Sequence, residues 1–498
     1  MKFEKLFFNK NYLLLYLIII IGSFLRLQGV FTNSFAFTYD VGRDMLTLWN
    51  IVYLHKISLI GATTGLPGVF YGPWWYLMLS PFFFLFSGNP QGIAFTMSLV
   101  GILSIFLAYI VGKSIGGGFL GLLFAALVSV SPVMISLSAQ IWNPNIAPLF
   151  ILLVFLVLKN IYDPKDKRLR NYLFLGFLLV LIADLEIVFG LLFLISIIIS
   201  ILVIARKKLH ILSIIYFAAG AVFILLPRII FEIRHKFLMT QSFLRFLSNG
   251  SSQNFSFLPS VLLNRLSILF DQFNSTLALG NNLLAIIILL FILYAIVFLI
   301  KKEGTNIKNF VKTSVIVLIF FMIGIIFFNH DIWPHYLVGL PLFYIFLFAI
   351  SLFSLGKMLK NNIYPSIIVI VLFVVSFNPV GVYKSLTLPI WVGDAAVYRN
   401  QLAVIDYIYR QANGKNFKYV VYTPPVYDYT YRYLFLWYGP KEYHYSPSRN
   451  SHLAFFILEP DYQNPQRLTD WLKERQNDGK IIKTREIKGG IVVQTRID

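Results

Sequence analysis

The sequence predicts an α-helical polytopic membrane protein that carries a small soluble α/β domain at its C-terminus. Of its 498 residues, 58% are hydrophobic, 17% are aromatic and only 13% are charged. A soluble fold of this length could not bury so much apolar surface. The apolar residues form long runs up to about residue 390, and charged residues reach an ordinary frequency only beyond that point.

The composition also excludes several functional classes. The formal net charge of +20 at pH 7 does not indicate nucleic acid, because the basic residues lie in short segments between apolar runs and act as topology signals. The absence of Cys excludes disulfides and thiol chemistry. The sequence contains no Walker loop and no dinucleotide-binding signature, and we expect no cofactor.

About eleven segments are apolar enough to span a bilayer, which takes roughly 20 residues per helix. With the N-terminus in the cytoplasm, every dense basic segment falls on the inner side of the cell membrane. The first apolar run lacks a small-residue cleavage site, so we expect a retained helix. The predicted spans are 11–30, 91–112, 116–132, 145–159, 171–187, 188–205, 211–228, 281–300, 312–329, 336–356 and 362–378.

The first outer loop of this topology, residues 31–90, is predicted to contain helices that do not span the membrane. The stretch 71–86, YGPWWYLMLSPFFFLF, is short and interrupted by proline. Treating it as a span would move every later basic loop to the outside, so we expect a re-entrant or surface helix. The stretch 43–54, RDMLTLWNIVYL, has helical spacing and predicts a helix that lies in the membrane interface.

The chain divides into a transmembrane catalytic domain, 1–390, and an extracytoplasmic α/β domain, 391–498. In the second domain, alternating apolar patterns predict strands, and apolar positions with helical spacing predict helices. The predicted helices are 396–411 and 464–476, and the predicted strands are 418–425, 452–460 and 489–497.

The acidic residues before residue 391 indicate where a functional site is expected. Some lie in inner loops beside lysines, but seven lie in outer loops or at the outer ends of spans. A charge costs about 2.5–3.5 kcal/mol at a membrane helix centre, so such residues usually line a functional cavity. The seven acids are Asp40, Asp44, Asp184, Glu186, Glu232, Asp271 and Asp331, and the cations beside them are Arg43, Arg228, Arg234, His235 and His335.

An outer cavity with carboxylates, arginines and apolar walls suits sugar transfer from a lipid phosphate. Nucleotide sugars are scarce outside the cytoplasm, whereas a polyprenyl phosphate can supply an activated sugar there. Guanidinium groups bind phosphate through forked, permanently charged donors, and a carboxylate can take the proton of an acceptor hydroxyl. We expect no metal, because His330, Asp331 and His335 lack the helical spacing of a zinc site.

Two stretches, FTYDVGRDM (37–45) and YGPWWYLMLSPFFFLFSGNPQ (71–91), resemble the first outer loop of GT-C membrane glycosyltransferases. The resemblance is to the family 39 and aminoarabinose-transferase-like enzymes, which are related to protein O-mannosyltransferases. It implies a GT-C fold, with Asp40 as the catalytic carboxylate and Arg43 as a phosphate ligand. Similar stretches occur at 130–145, 226–237 and 335–343, and the sequence departs from the family pattern at Val41, Gly72 and Asn145.

The sequence therefore predicts an inverting hexosyl or pentosyl transferase that uses a polyprenyl-phosphate-linked sugar and an acceptor hydroxyl of a glycan, lipid or protein. A transporter or flippase of lipid-linked glycan is the alternative, but the chain shows no repeated halves. Another alternative is that Asp40, Arg43 and Asp44 form a purely structural salt bridge. The predicted catalytic residues are Asp40 and Asp44. The predicted donor-phosphate ligands are Arg43, Arg228, Arg234, His235, His335 and Tyr336. The predicted sugar or acceptor ligands are Asp184, Glu186 and Glu232.

Overall fold

The computed structural model describes residues 10–250, 259–328, 331–376, 394–424 and 427–497. Some predicted features lie outside these ranges: His330, residue 329 and residues 377–378 at the ends of two predicted spans, and residue 425 at the end of a predicted strand. The helices before residue 377 are α1 (Lys10–Phe31), α2 (Tyr39–Val52), α3 (Trp74–Leu85), α4 (Pro90–Gly116), α5 (Gly118–Val130), α6 (Pro132–Ala139), α7 (Ala147–Tyr162), α8 (Arg170–Leu185), α9 (Ile187–Ile204), α10 (Ile211–Arg234), α11 (Leu238–Gly250), α12 (Pro259–Leu277), α13 (Asn282–Lys302), α14 (Thr305–Ile326), α15 (Leu340–Met358) and α16 (Ile363–Ser376).

Each predicted span coincides with a helix or a helix pair of this bundle. Among the described residues, eight helices are long and apolar enough to cross a membrane alone, and the pair of α5 and α6, which is bent by 61°, is apolar enough to form a broken span or a re-entrant loop. The other two predicted spans correspond to α8, which has 16 residues, and to α16, which has 14. The chain is a multi-pass membrane protein, and the orientation of its termini stays a prediction.

A buried arginine holds the bend between α5 and α6. Arg26 of α1 is 1% exposed, and its guanidinium donates to the carbonyls of Val128 and Ser129, each at 2.9 Å. The last carbonyls of a helix have no partner within that helix, and Pro132 at the start of α6 offers no N–H. Arg26 therefore satisfies carbonyls that the bend leaves unpaired in apolar surroundings.

Replacing Arg26 by leucine is expected to lower the thermal unfolding midpoint of the detergent-purified protein. The variant leaves two buried carbonyls without a partner, and each unsatisfied buried group costs about 1–3 kcal/mol. Arg245→Leu is the matched control, because Arg245 is exposed on α11. Equal midpoints for the two variants would show that Arg26 does not hold the bend.

The first long loop contains the two helices that were predicted not to span, α2 and α3. The 12 residues of α3 extend over about 18 Å at roughly 1.5 Å per residue, which is well short of the hydrocarbon thickness of about 30 Å. Pro81 lies inside α3. Both helices therefore belong to the loop, as the sequence predicts.

The C-terminal domain is a four-stranded mixed sheet with helices packed against it. The strand order is β1-β2-β4-β3; β1 runs parallel to β2, whereas β4 is antiparallel to both of its neighbours. The sequence predicts five of these elements but not α18 or β3. In chain order, the helices and strands are α17 (Tyr398–Ala412), β1 (Lys418–Tyr422), α18 (Tyr429–Tyr443), β2 (Leu453–Leu458), α19 (Pro465–Glu474), β3 (Lys480–Glu486) and β4 (Val492–Ile497).

The C-terminal domain packs directly onto the first loop. Gly42 of α2 lets α18 approach closely, since a Cβ at this position would lie 2.5 Å from the backbone nitrogen of Thr430. The N–H of Phe37 donates to the carbonyl of Ala396 at 2.7 Å. Side chains of the loop and of the C-terminal domain share one hydrophobic core. This packing places the charged end of α2 directly beneath the C-terminal domain.

Candidate functional site

The three charged residues of the first motif form one cluster on α2. The guanidinium of Arg43 donates to Oδ1 of Asp40 at 2.6 Å and to Oδ1 of Asp44 at 2.9 Å. The side chains of Asp40 and Arg43 are 27% and 22% exposed, whereas that of Asp44 is 1% exposed. Of the two carboxylates, Asp40 is the one that a substrate can reach.

Asp44 is held on both of its oxygens. Besides the guanidinium of Arg43, the indole of Trp75 donates to Oδ2 and the hydroxyl of Tyr76 donates to Oδ1, each at 2.9 Å. These bonds fix the carboxylate, which in turn fixes the plane of the Arg43 guanidinium. The geometry suits a positioning role for Asp44 better than proton transfer.

A second charged cluster lies where α8, α9 and α10 meet. Oδ1 of Asp184 is 3.1 Å from Nη2 of Arg228. Oε2 of Glu186 accepts a hydrogen bond from the hydroxyl of Tyr71 at 2.9 Å and lies 4.0 Å from Nε2 of His335. Both acidic side chains are 1% exposed, so the nearby cation and polar groups, and not bulk water, must balance their charges.

The segment 71–76, YGPWWY, connects the two clusters. Its first residues contact the second cluster, since Tyr71 donates to Glu186 and the N–H of Gly72 donates to the carbonyl of Asp184 at 3.4 Å. Its last residues hold Asp44, as described above. A Cβ at Gly72 would lie 1.8 Å from Oδ1 of Asp184. This position, where the sequence departs from the family pattern, therefore has no space for a side chain.

Two nitrogen atoms beside the second cluster have no hydrogen-bond partner in the described part of the chain, and each can donate, the histidine nitrogen in one of its two tautomers. They are Nε of Arg228 and Nδ1 of His335, and both are buried. Buried polar atoms in native proteins nearly always have a partner. A ligand with acceptor oxygens, such as a phosphate, would supply one. The ring of Tyr336 packs edge-on against that of His335, with centroids 4.6 Å apart, and lies beside these donors.

The other three predicted ligands lie at the end of α10 and belong to neither cluster. Arg234 and His235 are exposed, and the ring of His235 stacks on Phe231 with centroids 4.0 Å apart. The carboxylate of Glu232 accepts two backbone N–H groups at the start of α11, at 2.8 and 3.0 Å. Glu232 therefore acts as a helix cap, and these three residues do not join the two clusters.

Asp40 lines a cavity of about 540 Å³ between α2, residues 140–142 and the C-terminal domain. Burial raises the pKa of the Asp40 carboxyl above its ordinary value, and the Arg43 guanidinium opposes that rise. A carboxylate with a raised pKa is a stronger base. Within the described ranges, no three His, Asp or Glu side chains are grouped as a metal site would require.

Comparison with solved structures reveals similarity over nearly the whole chain. The crystal structure of ArnT from Cupriavidus metallidurans bound to undecaprenyl phosphate matches this chain with a TM-score of 0.53 and 11% sequence identity. The match covers 97% of each of the two chains. The chain has the GT-C fold. The apo structure of the same ArnT gives a TM-score of 0.51 at 10% identity, with 91% of this chain and 97% of that chain covered.

The GT-C fold is also shared with a larger archaeal protein. The Archaeoglobus fulgidus oligosaccharyltransferase, in a complex with Zn and sulfate, gives a TM-score of 0.50 at 12% identity. The match covers 81% of this chain and 56% of that one. No family model matches the sequence, and no curated protein matches it either. These structural similarities confirm the fold that the two loop motifs predicted.

Proposed function

We propose that the chain is an inverting glycosyltransferase that moves a sugar from a polyprenyl phosphate to an acceptor hydroxyl at the extracytoplasmic face of the cell membrane. One observation carries the proposal. The reachable carboxylate of Asp40 is linked through segment 71–76 to buried donors of Arg228 and His335 that have no protein partner among the described residues. The shared fold of ArnT, whose structure holds undecaprenyl phosphate, supports the choice of donor.

Asp40 is the general base of the proposed reaction. The acceptor oxygen attacks the anomeric carbon on the side opposite the phosphate, and its proton passes to the carboxylate of Asp40. The new carbon–oxygen bond forms as the bond from the anomeric carbon to the phosphate oxygen breaks. The electron pair of that bond leaves with the polyprenyl phosphate, and this single displacement inverts the configuration of the sugar.

The arginines stabilise the negative charge of the leaving phosphate. Arg43 is held in place by Asp44 and Arg228 by Asp184, so neither guanidinium needs to reorganise as charge develops. His335 and Tyr336 complete the phosphate site, whereas Asp184 and Glu186, each 1% exposed, position Arg228 and His335 instead of contacting the donor sugar. No step uses Arg234, His235 or Glu232.

The proposed function is tested by sugar transfer from a labelled donor. Full-length protein in liposomes is given a polyprenyl phosphate that carries a tritiated hexose or pentose, with a detergent extract of membranes as the source of acceptor. The label is expected to leave the donor lipid as an equal amount of polyprenyl phosphate appears, whereas empty liposomes release none. Movement of intact donor lipid across the bilayer without cleavage would instead identify a flippase and overturn the proposal.

Acidification is expected to slow transfer. Asp40 acts in its deprotonated form, and burial raises the pKa of its carboxyl above the ordinary value. The rate constant kcat/KM therefore rises with pH through that pKa and then reaches a plateau. The measurement is kcat/KM for the acceptor from acid to neutral pH, with unfolding monitored in parallel. A folded protein whose kcat/KM does not fall in acid would contradict the role of Asp40 as a base.

A further inference from the structure

The cavity above Asp40 has a second polar wall, which the C-terminal domain supplies. Its volume of about 540 Å³ lies within the range of about 300–1,000 Å³ that is typical of small-molecule sites. Asp40 and Tyr39 lie on one side, and Gln401 and Glu459 lie on the other. The proposed donor site uses neither Gln401 nor Glu459, so their presence at the cavity requires a separate explanation.

Gln401 and Glu459 are polar groups buried at the cavity wall. They are 2% and 7% exposed. Oε1 of Glu459 accepts from the hydroxyl of Tyr431 at 2.9 Å and from the amide of Gln401 at 3.4 Å. Oε1 of Gln401 has no hydrogen-bond partner in the described ranges. A buried amide oxygen without a partner is uncommon, and a hydroxyl in the cavity would supply the missing donor.

Glu459 can both donate and accept hydrogen bonds. Burial raises the pKa of its carboxyl to about 7, so both the protonated and the ionised forms are accessible near neutral pH. A protonated carboxyl has one O–H donor and keeps acceptor lone pairs. Hydroxyl groups have the same mixture of donor and acceptor, which makes them suitable partners for this wall.

Stacked tyrosines line the mouth of the cavity. The rings of Tyr39 and Tyr427 have centroids 6.0 Å apart with 24° between their planes, and Tyr427 stacks on Tyr429 at 5.4 Å. Tyr39 and Tyr427 line the cavity and are 37% and 53% exposed. A partly exposed tyrosine offers an apolar ring and a polar hydroxyl, which suits a sugar with apolar C–H groups and outward hydroxyls.

The charge of the cavity indicates that its ligand is not an anion. The residues that line it include Asp40, Asp394 and Glu459, and none of the described lining residues is Lys, Arg or His. Arg43 beside Asp40 is already paired with two carboxylates, so a phosphorylated or carboxylated ligand would find no unpaired cation among the described lining residues. The cavity therefore favours a neutral, hydroxyl-rich ligand.

We propose that this cavity binds the acceptor and that the acceptor is a neutral carbohydrate. The proposal rests on the proposed glycosyltransferase function, because it is Asp40 that receives the proton of the reacting hydroxyl. Gln401 and Glu459 bind hydroxyls on the opposite side of the same sugar, and Tyr39 and Tyr427 pack against its ring. The C-terminal domain thus supplies half of the acceptor site.

Saturation-transfer NMR with the methyl glycosides of glucose, mannose and galactose tests this proposal on the detergent-solubilised full chain. The wild type is expected to saturate the ring protons of at least one glycoside. Gln401→Leu should weaken that binding about tenfold through lost hydrogen bonds. Tyr427→Leu, a change at an exposed ring, should also weaken it. Gln466→Leu is the matched control, because Gln466 is exposed in the same domain.

Parallel binding of polyprenyl phosphate separates failure of this proposal from failure of the proposed function. If no glycoside binds the wild type, or if Gln401→Leu and Tyr427→Leu bind as the wild type does, the carbohydrate site is wrong. If a serine-containing peptide binds in its place, the acceptor is a protein and the proposal is overturned. In each of these cases, the protein is still assigned as a glycosyltransferase if it binds polyprenyl phosphate and transfers sugar to acceptors in a membrane extract.

Discussion

Asp40→Asn protein is expected to bind the donor lipid as the wild type does and to transfer no measurable sugar. Asparagine keeps the size of the side chain but cannot take a proton from the acceptor. A general base contributes about 10²–10⁴-fold to a rate. The donor phosphate contacts Arg43 and Arg228 in this account, so its affinity should change little. The measurement is single-turnover transfer with saturating labelled donor, together with the donor Kd.

Two further carboxylates serve as comparisons for Asp40→Asn. Asp271→Asn removes a charge at an exposed position of α12 and should leave transfer unchanged. Asp44→Asn keeps the base but loosens Arg43, so a smaller loss of rate is expected together with weaker donor binding. If Asp40→Asn keeps wild-type activity, or if Asp44→Asn loses more activity than Asp40→Asn, the base has been assigned to the wrong residue.

Arg228→Gln is expected to raise the Kd for polyprenyl phosphate by about tenfold to a hundredfold. A hydrogen bond to a charged group contributes about 1.5–3 kcal/mol, and each 1.4 kcal/mol corresponds to about tenfold in affinity. Nε of Arg228 is buried and has no partner in the described part of the chain, so it can serve the phosphate. The measurement is donor binding by the full-length protein in nanodiscs.

Arg234→Gln is the matched control for Arg228→Gln, because Arg234 lies on the same helix but is exposed. Its donor affinity should equal that of the wild type. Arg228→Gln also leaves the buried carboxylate of Asp184 without its cation, which destabilises the fold. The double variant Asp184→Asn/Arg228→Gln removes that charge as well, and should regain thermal stability without regaining donor affinity. Equal donor affinity for the two single variants would exclude Arg228 from the phosphate site.

The sequence predicted the membrane part well because a single physical rule governs it. A spanning helix must satisfy its own backbone in hydrocarbon, so length and apolar composition reveal it directly. The bend at Pro132 was not predicted within the span 116–132. Arg26, which holds this bend, precedes the two carbonyls to which it donates by 102 and 103 residues. No local pattern reports such a contact.

The two missed elements of the C-terminal domain have different explanations. Helix α18 packs on α2 through Thr430, and its Phe435 stacks on Tyr419 of β1 at 4.0 Å. A helix that is buried on several sides has no amphipathic period to detect. Strand β3 is exposed at every residue and lies at the sheet edge, where polar and charged residues replace the alternating apolar pattern of a buried strand.

The sequence predicts the charged residues of the site but not the neutral residues that hold them. Asp40, Arg43, Asp184, Glu186 and Arg228 are conspicuous because charge is rare in this part of the chain. Their neutral partners were missed, although the aromatic segment 71–76 contained a signal, since Tyr and Trp side chains are natural donors to buried carboxylates. Gln401 and Glu459 had no comparable signal, because charged and polar residues are ordinary in a soluble domain.

A structure of the full-length protein with a polyprenyl phosphate bound would test the proposed site directly. The phosphate is expected within hydrogen-bond distance of the guanidinium groups of Arg43 and Arg228, with Asp40 facing the same space from the side of the C-terminal domain. A phosphate bound beside the exposed Arg234, or one separated from Asp40 by the packed bundle, would contradict the proposed site.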